Sequence, residues 1–166
     1  MHFRLDDLTG PEIAAFLEEH LQDMRTVSPP ESVHALDLDG LRRPEISYWT
    51  LWDADRLVGC GALKELDTMH GELKSMRVSR RDRGKGIGGV ILTHLIAEAR
   101  RRGYTRLSLE TGSMPFFNPA HRLYERFGFT RCGSFANYRE DPNSLFMTRT
   151  LNGIEPFLNS DGTTLK

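Results

Sequence analysis

Cysteine is scarce in this chain: Cys60 and Cys132 are the only two among 166 residues. They stand far apart and in no metal-ligand spacing. That argues against a disulfide scaffold and reads as two free thiols in a reducing compartment, with a disulfide between them as the alternative. Long apolar runs are missing too. No stretch approaches the roughly 18 residues that a membrane-spanning helix needs, and the N-terminus has no signal-peptide core. A cytoplasmic protein without a membrane partner is expected. An excess of one charge is also lacking: the formal net charge is −1. General nucleic-acid binders carry a basic surplus, so no nucleic-acid partner is expected. The six histidines form no HExxH and pair with no CxxC, and no metal is expected.

What is present is an ordinary folding balance, with 39% hydrophobic and 27% charged residues. The length fits one domain with a real core. A single domain over 1–151 is expected, followed by a polar, loosely held tail over 152–166.

The most informative stretch is Arg83-Gly84-Lys85-Gly86-Ile87-Gly88-Gly89. A strand-like run, 72–78, precedes it and an amphipathic helix from about Gly86 to Arg102 follows. Glycines let backbone N–H groups approach a ligand with no Cβ in the way. A helix start adds unpaired donors and partial positive charge. Together these make a phosphate site. Arg77, Arg80, Arg81, Arg83 and Lys85, partly offset by Asp82, read either as a solvated loop or as a patch that attracts polyphosphate.

Elsewhere the pattern predicts a short strand at 2–5 and a helix opened by Thr9-Gly10-Pro11-Glu12 as a capping box. Ile13, Phe16, Leu17, Leu21 and Met24 give that helix one apolar face. A short helix over 33–41 capped by Ser32, a hairpin of 46–52 with 57–66, and a turn at His70-Gly71 follow. A strand at 106–110, a helix at 119–127 and a strand pair at 129–135 and 144–151 complete the order. The strands at 72–78 and 106–110 flank one helix, so a crossover makes them parallel. The fold class is α/β: a mixed, mostly antiparallel sheet of about seven strands with helices on both faces.

Which phosphate ligand the loop takes is the next question. Gly84-x-Gly86-x-x-Gly89 also satisfies the dinucleotide fingerprint, with Glu110 about 20 residues on where a ribose-binding acid would stand. Against that reading, Ser79-Arg80-Arg81-Asp82-Arg83 separate strand from glycines, and the motif does not open the domain. No Lys-Ser or Lys-Thr follows the last glycine, so the Walker A pattern is absent.

Two blocks carry a closer likeness. Arg83-x-x-Gly86-x-Gly88 follows a strand ending at Val78, and Asn118-Pro119-Ala120-His121-Arg122-Leu123-Tyr124-Glu125-Arg126-Phe127-Gly128-Phe129 follows in the expected order. Together they resemble the two signatures of the GNAT family of N-acetyltransferases. The segment 28–37 resembles small, poorly characterised bacterial members. The resemblance covers about 3–151 and implies acetyl-CoA as co-substrate. It implies a splayed parallel pair, 72–78 and 106–110, with the pantetheine arm between them against Met76, Arg77 and Val78. It implies that Gly84, Lys85, Gly86, Ile87, Gly88 and Gly89, with Arg83, hold the pyrophosphate. Asn118 is implied to contact the coenzyme arm, and Tyr124 to face its sulfur as a proton donor to the departing thiolate.

The base stays open. Glu110 and Glu72 are the carboxylates nearest the reacting centre, while His34 and His70 titrate in the right range. Glu31, Asp37, Glu140 and Asp141 could attract a cationic amine. Trp49 and Trp52 read as pocket lining or as core. The expected reaction is acetylation of a small-molecule amine in a ternary complex. A protein amine, or a sensor that binds acyl-CoA without turnover, is the alternative. Either a monomer or a homodimer is compatible with the resemblance.

Overall fold

The computed structural model describes residues 1–151; the tail expected over 152–166 lies outside the described residues. In chain order the elements are β1 (His2–Leu5), α1 (Pro11–Val27), α2 (Leu38–Leu41), β2 (Ile46–Asp53), β3 (Arg56–Glu65) and β4 (His70–Val78). They continue with α3 (Ile87–Arg101), β5 (Arg106–Gly112), α4 (Asn118–Arg126), β6 (Thr130–Cys132) and β7 (Ser144–Thr150). The strands form one seven-stranded sheet in the order β1-β2-β3-β4-β5-β7-β6. Every neighbouring pair is antiparallel except β4 with β5, which is parallel as the strand–helix–strand order predicts.

Period-two alternation along the strands builds two cores. Trp49, Leu51, Leu73, Leu107, Leu109 and Met147 pack with Ile91, Leu92 and Leu95 of α3 and Tyr124 of α4. Tyr48, Trp52, Cys60 and Ala62 pack instead with Ile13, Phe16 and Leu17 of α1. Helices therefore cover both faces. The two tryptophans are core residues, one on each side. Gly59 and Gly61 let α3 lie close on β3: a Cβ on Gly59 would stand 2.6 Å from Ile91 Cδ1, and one on Gly61 2.8 Å from Leu95 Cδ1.

Several local expectations are corrected. Thr9 does not cap α1; its hydroxyl bonds Asp7 at 2.7 Å, and Gly10 holds the cap position without a side-chain bond. Ser32 caps no helix over 33–41. A 3-10 turn ends at Ser32, and the Asp37 carboxylate caps the shorter α2 by accepting from the Gly40 N–H. His70 and Gly71 belong to β4, not to a turn, because they pair with Arg106 and Leu107 of β5; glycine is needed at 71 because the Tyr104 ring lies where its Cβ would be. Asn118 is the first residue of α4 and Phe117 its cap.

β4 carries the feature that shapes the site. Its pairing with β3 runs Ala62↔Lys74 and then Cys60↔Arg77, leaving Ser75 and Met76 opposite Gly61 alone. Ser75 has φ 54, a conformation rare for a residue with a side chain. The result is a β-bulge, which moves side chains to the opposite face beyond it. Leu73, Met76 and Val78 thus share the α3 face, while Arg77 turns to α1 and lies over the Phe16 ring.

At the end of β5, a Cβ on Gly112 would fall 2.1 Å from the Phe117 ring. Gly112→Ala is expected to cost roughly 1–3 kcal/mol through this overpacking. A lower midpoint in urea denaturation, with unchanged slope, would register it.

Candidate active site

Parallel pairing between β4 and β5 runs from His70↔Arg106 to Leu73↔Leu109 and stops there. Beyond that point β4 continues to Val78 and β5 to Gly112, so the two strands part. Met76 has a register partner in neither neighbour. A cavity of about 620 Å³ occupies this opening. It runs from the glycine loop (Arg83, Gly84, Gly86–Gly89) along Leu73–Val78 to Glu110, Thr111 and the 32–35 loop.

The loop geometry matches its glycine content where glycine is needed. Gly84 and Gly86 have φ +77 and +80, with open space where a Cβ would stand. Gly86 is the cap residue of α3, so the unpaired N–H groups of the helix start face this end of the cavity. Gly88 packs under Leu123 of α4, where a Cβ would meet Leu123 Cδ2 at 3.0 Å.

The basic patch is largely neutralised from a distant part of the chain. Arg77 is buried and pairs with Glu19 and Asp23 of α1, each at 3.0 Å. Arg80 pairs with the same two acids at 2.9 and 2.6 Å, and Arg83 with Asp23 at 3.5 Å. Asp82 is held by Arg56, by the Ser79 hydroxyl at 2.5 Å and by Lys85 at 3.3 Å; the Arg56 and Ser79 bonds hold its carboxyl below the usual range. Arg77 therefore offers the cavity its backbone rather than its charge. Its guanidinium buttresses α1 against β4. Beside it, His20 lines the cavity, and burial with the Arg77 charge lowers it to about 4, which keeps it neutral.

The proposed acids and bases fall into different settings. Glu110 lines the cavity, and burial lifts its carboxyl to about 7; the nearby Ser144 hydroxyl and Lys74 ammonium restrain the rise. A carboxyl poised there can exchange protons near neutrality. Glu72 is 1% exposed and outside the cavity lining. It accepts from the Tyr138 hydroxyl at 3.0 Å and from Lys74 at 3.4 Å, an engaged, structural carboxylate. His70 is tied to the Ser108 hydroxyl at 2.7 Å. His34 reaches the cavity, edge-on to Tyr138.

Tyr124 sits behind Met76, with its hydroxyl 3.8 Å from Met76 Sδ. Burial pushes its phenol up to about 12, so it stays protonated. Tyr124, Asn118 and Lys85 do not themselves line the cavity. Of the acids expected to draw an amine, Asp37 is a helix cap, Glu140 bonds the Ser134 N–H at 2.6 Å, and Asp141 bonds Ser32 Oγ at 2.6 Å. Lys74 is the residue the sequence did not single out, whereas Tyr138 belongs to the 138–141 segment expected beside the acceptor. A lysine alternating with apolar residues in a strand was the available signal. Among the described residues, no cluster of three or more His, Cys, Asp or Glu could hold a metal ion, and no helix is long and apolar enough to cross a membrane.

Comparison with known proteins places this geometry. Residues 13–129 match the model of the acetyltransferase (GNAT) family. The chain is 58% identical over 151 residues to the "Uncharacterized N-acetyltransferase YsnE" of Bacillus subtilis (strain 168), covering 91% of this chain and all of that protein. A Klebsiella pneumoniae protein named for acyl-CoA N-acyl transfer superposes with a TM-score of 0.73 at 27% identity, covering 91% of this chain and 97% of that one. An aminoglycoside 6'-N-acetyltransferase solved with coenzyme A superposes at 0.68 with 18% identity, over 93% of this chain and 99% of that one. The chain belongs to the GNAT family and is an acetyltransferase.

The raised Glu110 carboxyl has a stability consequence. The unfolded group titrates near its ordinary value of 4.5 and the folded one near 7. Between these values the folded chain holds a proton that the unfolded chain has lost, so stability falls as pH rises through this window. In Glu110→Gln this fall is expected to flatten. Melting temperatures at pH 5 and pH 8 would show a smaller drop than in the parent, and an identical drop would contradict the burial of this carboxyl.

Proposed function

We propose that the protein transfers the acetyl group of acetyl-CoA to the amine of a small molecule, with donor and acceptor bound together in residues 1–151. One observation carries this reading. A glycine loop with two left-handed residues, an unpaired β4 edge and a carboxyl lifted to about 7 open into the same cavity. The likeness to a fold solved with coenzyme A supports the donor.

The residues fit such a ligand. Amides of Gly84–Gly89 at the start of α3 suit a pyrophosphate. Arg83 and Lys85, exposed and only tethered to Asp23 and Asp82, supply charge that can turn to it. The backbone of Met76, Arg77 and Val78, free of β5, suits an arm that hydrogen-bonds like an added strand. Bound there, acetyl-CoA supplies an activated acetyl thioester.

The chain's own groups then divide the remaining work. Glu110 takes the proton from the acceptor's ammonium, so that nitrogen presents its lone pair. The backbone N–H at Met76, a residue with no register partner in β3 or β5, is the donor assigned to the carbonyl oxygen in this reading; donors of this kind are worth roughly 3–4 kcal/mol in other acyl-transfer sites. Tyr124, whose hydroxyl lies behind Met76 and outside the cavity lining, is the proton source this reading assigns to the departing thiolate once the Met76 side chain moves aside. Asn118, at the start of α4, steadies the coenzyme arm. Glu72 acts one layer back, through Tyr138 and Lys74.

The test is calorimetric titration with acetyl-CoA, with NAD in parallel, followed by thiol release with a panel of small primary amines. The parent is expected to bind acetyl-CoA, ignore NAD and release thiol with at least one amine. Gly86→Asp, which adds a Cβ at φ +80 and a negative charge, is expected to abolish acetyl-CoA binding. Unchanged affinity in that variant would remove the loop from the site.

A further inference from the structure

Buried lysines demand an explanation, and Lys74 has only part of one. Its side chain is 9% exposed yet lines the cavity. Its ammonium has three N–H donors. One donates to the Tyr138 hydroxyl at 2.8 Å, and a second faces Glu72 at a long 3.4 Å, with the Tyr138 ring alongside. Glu72 supplies the counter-charge that offsets burial but stands outside the cavity lining. The third donor of this cavity-lining residue has no partner among the described residues.

Its neighbour across the cleft is Glu110. Leu73↔Leu109 is the last paired rung, so Lys74 and Glu110 are the first residues past the parting. Both point away from the α3 core that Leu73 and Leu109 enter. The two are close enough for the Lys74 charge to act on the Glu110 carboxyl. Ser75 is also in the lining, though its Oγ is buried away from the open space and has no hydrogen-bond partner among the described residues.

The other charged residues of the lining lie elsewhere or are spoken for. Asp82 and Arg83 belong to the glycine-loop end, Arg126 to α4, and the Arg77 guanidinium to α1. His20 is neutral at about 4, and burial and Lys74 lower His34 from its ordinary value. In the lining of the acceptor end, Lys74 is the cation and Glu110 the acid, with the charges of Glu72 and Asp141 felt at Glu110 from outside the lining. An amine alone uses only the acid. A polycation would meet Lys74 with like charge and leave its donor unfilled.

We propose that the acceptor is a zwitterion of the amino-acid type, its amino nitrogen at Glu110 and its carboxylate on Lys74. This rests on the small-amine reading above. A carboxylate–ammonium bond in a buried site is worth tenfold or more in selectivity, as an order of magnitude.

The experiment is a thiol-release assay with acetyl-CoA. It compares L-amino acids with their decarboxylated amines, pairing L-alanine with ethylamine and L-phenylalanine with phenethylamine across a set of side-chain sizes. The parent is expected to favour the better-accepted amino acids by about tenfold or more in kcat/KM. Lys74→Met is expected to collapse that ratio toward one, and Lys74→Arg to retain most of it. If Lys74→Met fails to fold, the ratio in the parent decides alone. Turnover of amines with no preference for the carboxylate would overturn this inference and leave amine acetylation standing. Acetyl-CoA binding with no amine acetylated would overturn both.

Discussion

Parallel pairing between β4 and β5 ends at Leu73↔Leu109, and the site follows from that ending. Hydrogen-bonded strands leave no room between them for a ligand; two strands that part after a few rungs expose main-chain donors and acceptors in the middle of a sheet. Such groups are costly unless something occupies them. The bulge at Ser75 works in the same place. It frees Met76 from β3, turns Met76 and Val78 toward the α3 core, and sends the Arg77 side chain to α1. One extra residue thereby separates a backbone surface suited to a thioester arm from a buried ion-pair network that holds the helix beside it.

That network sets how rigid the opening is. Asp23 alone faces Arg77, Arg80 and Arg83, and Glu19 faces two of them. The exposed pairs contribute little on their own, but Arg77 is buried, and an unpaired guanidinium there would be strongly unfavourable. α1 is thus fastened to the strand that carries the site. Its residues His20 and Met24 become cavity wall.

Much of this was legible in the sequence. The β-α-β order around α3 required a parallel pair, and the glycine run at a helix start indicated close approach of backbone N–H groups to a phosphate. The two motif blocks indicated a GNAT domain. What escaped reading was long-range. Ser75 carries no sign of the bulge, because β-branching and glycine content say nothing about a serine at φ 54. Gly71 resembles a turn residue until Tyr104 is seen to need its missing side chain. Glu19 and Asp23, four residues apart on one helix face, could have announced an acidic stripe, but not that Arg77 would meet it. Glu72 and Glu110 look alike as strand acids. Only the fold shows that Tyr138 and Lys74 occupy one while burial leaves the other poised near 7.

Under the proposed function, the unpaired edge of β4 and the glycine loop form one coenzyme surface. Amide hydrogen exchange of the protein with and without acetyl-CoA tests it most directly. Added acetyl-CoA is expected to slow exchange at 75–78 and 84–89 together, with the paired rungs at 70–73 unchanged. Protection confined to other parts of the chain, or none at 75–78, would contradict it.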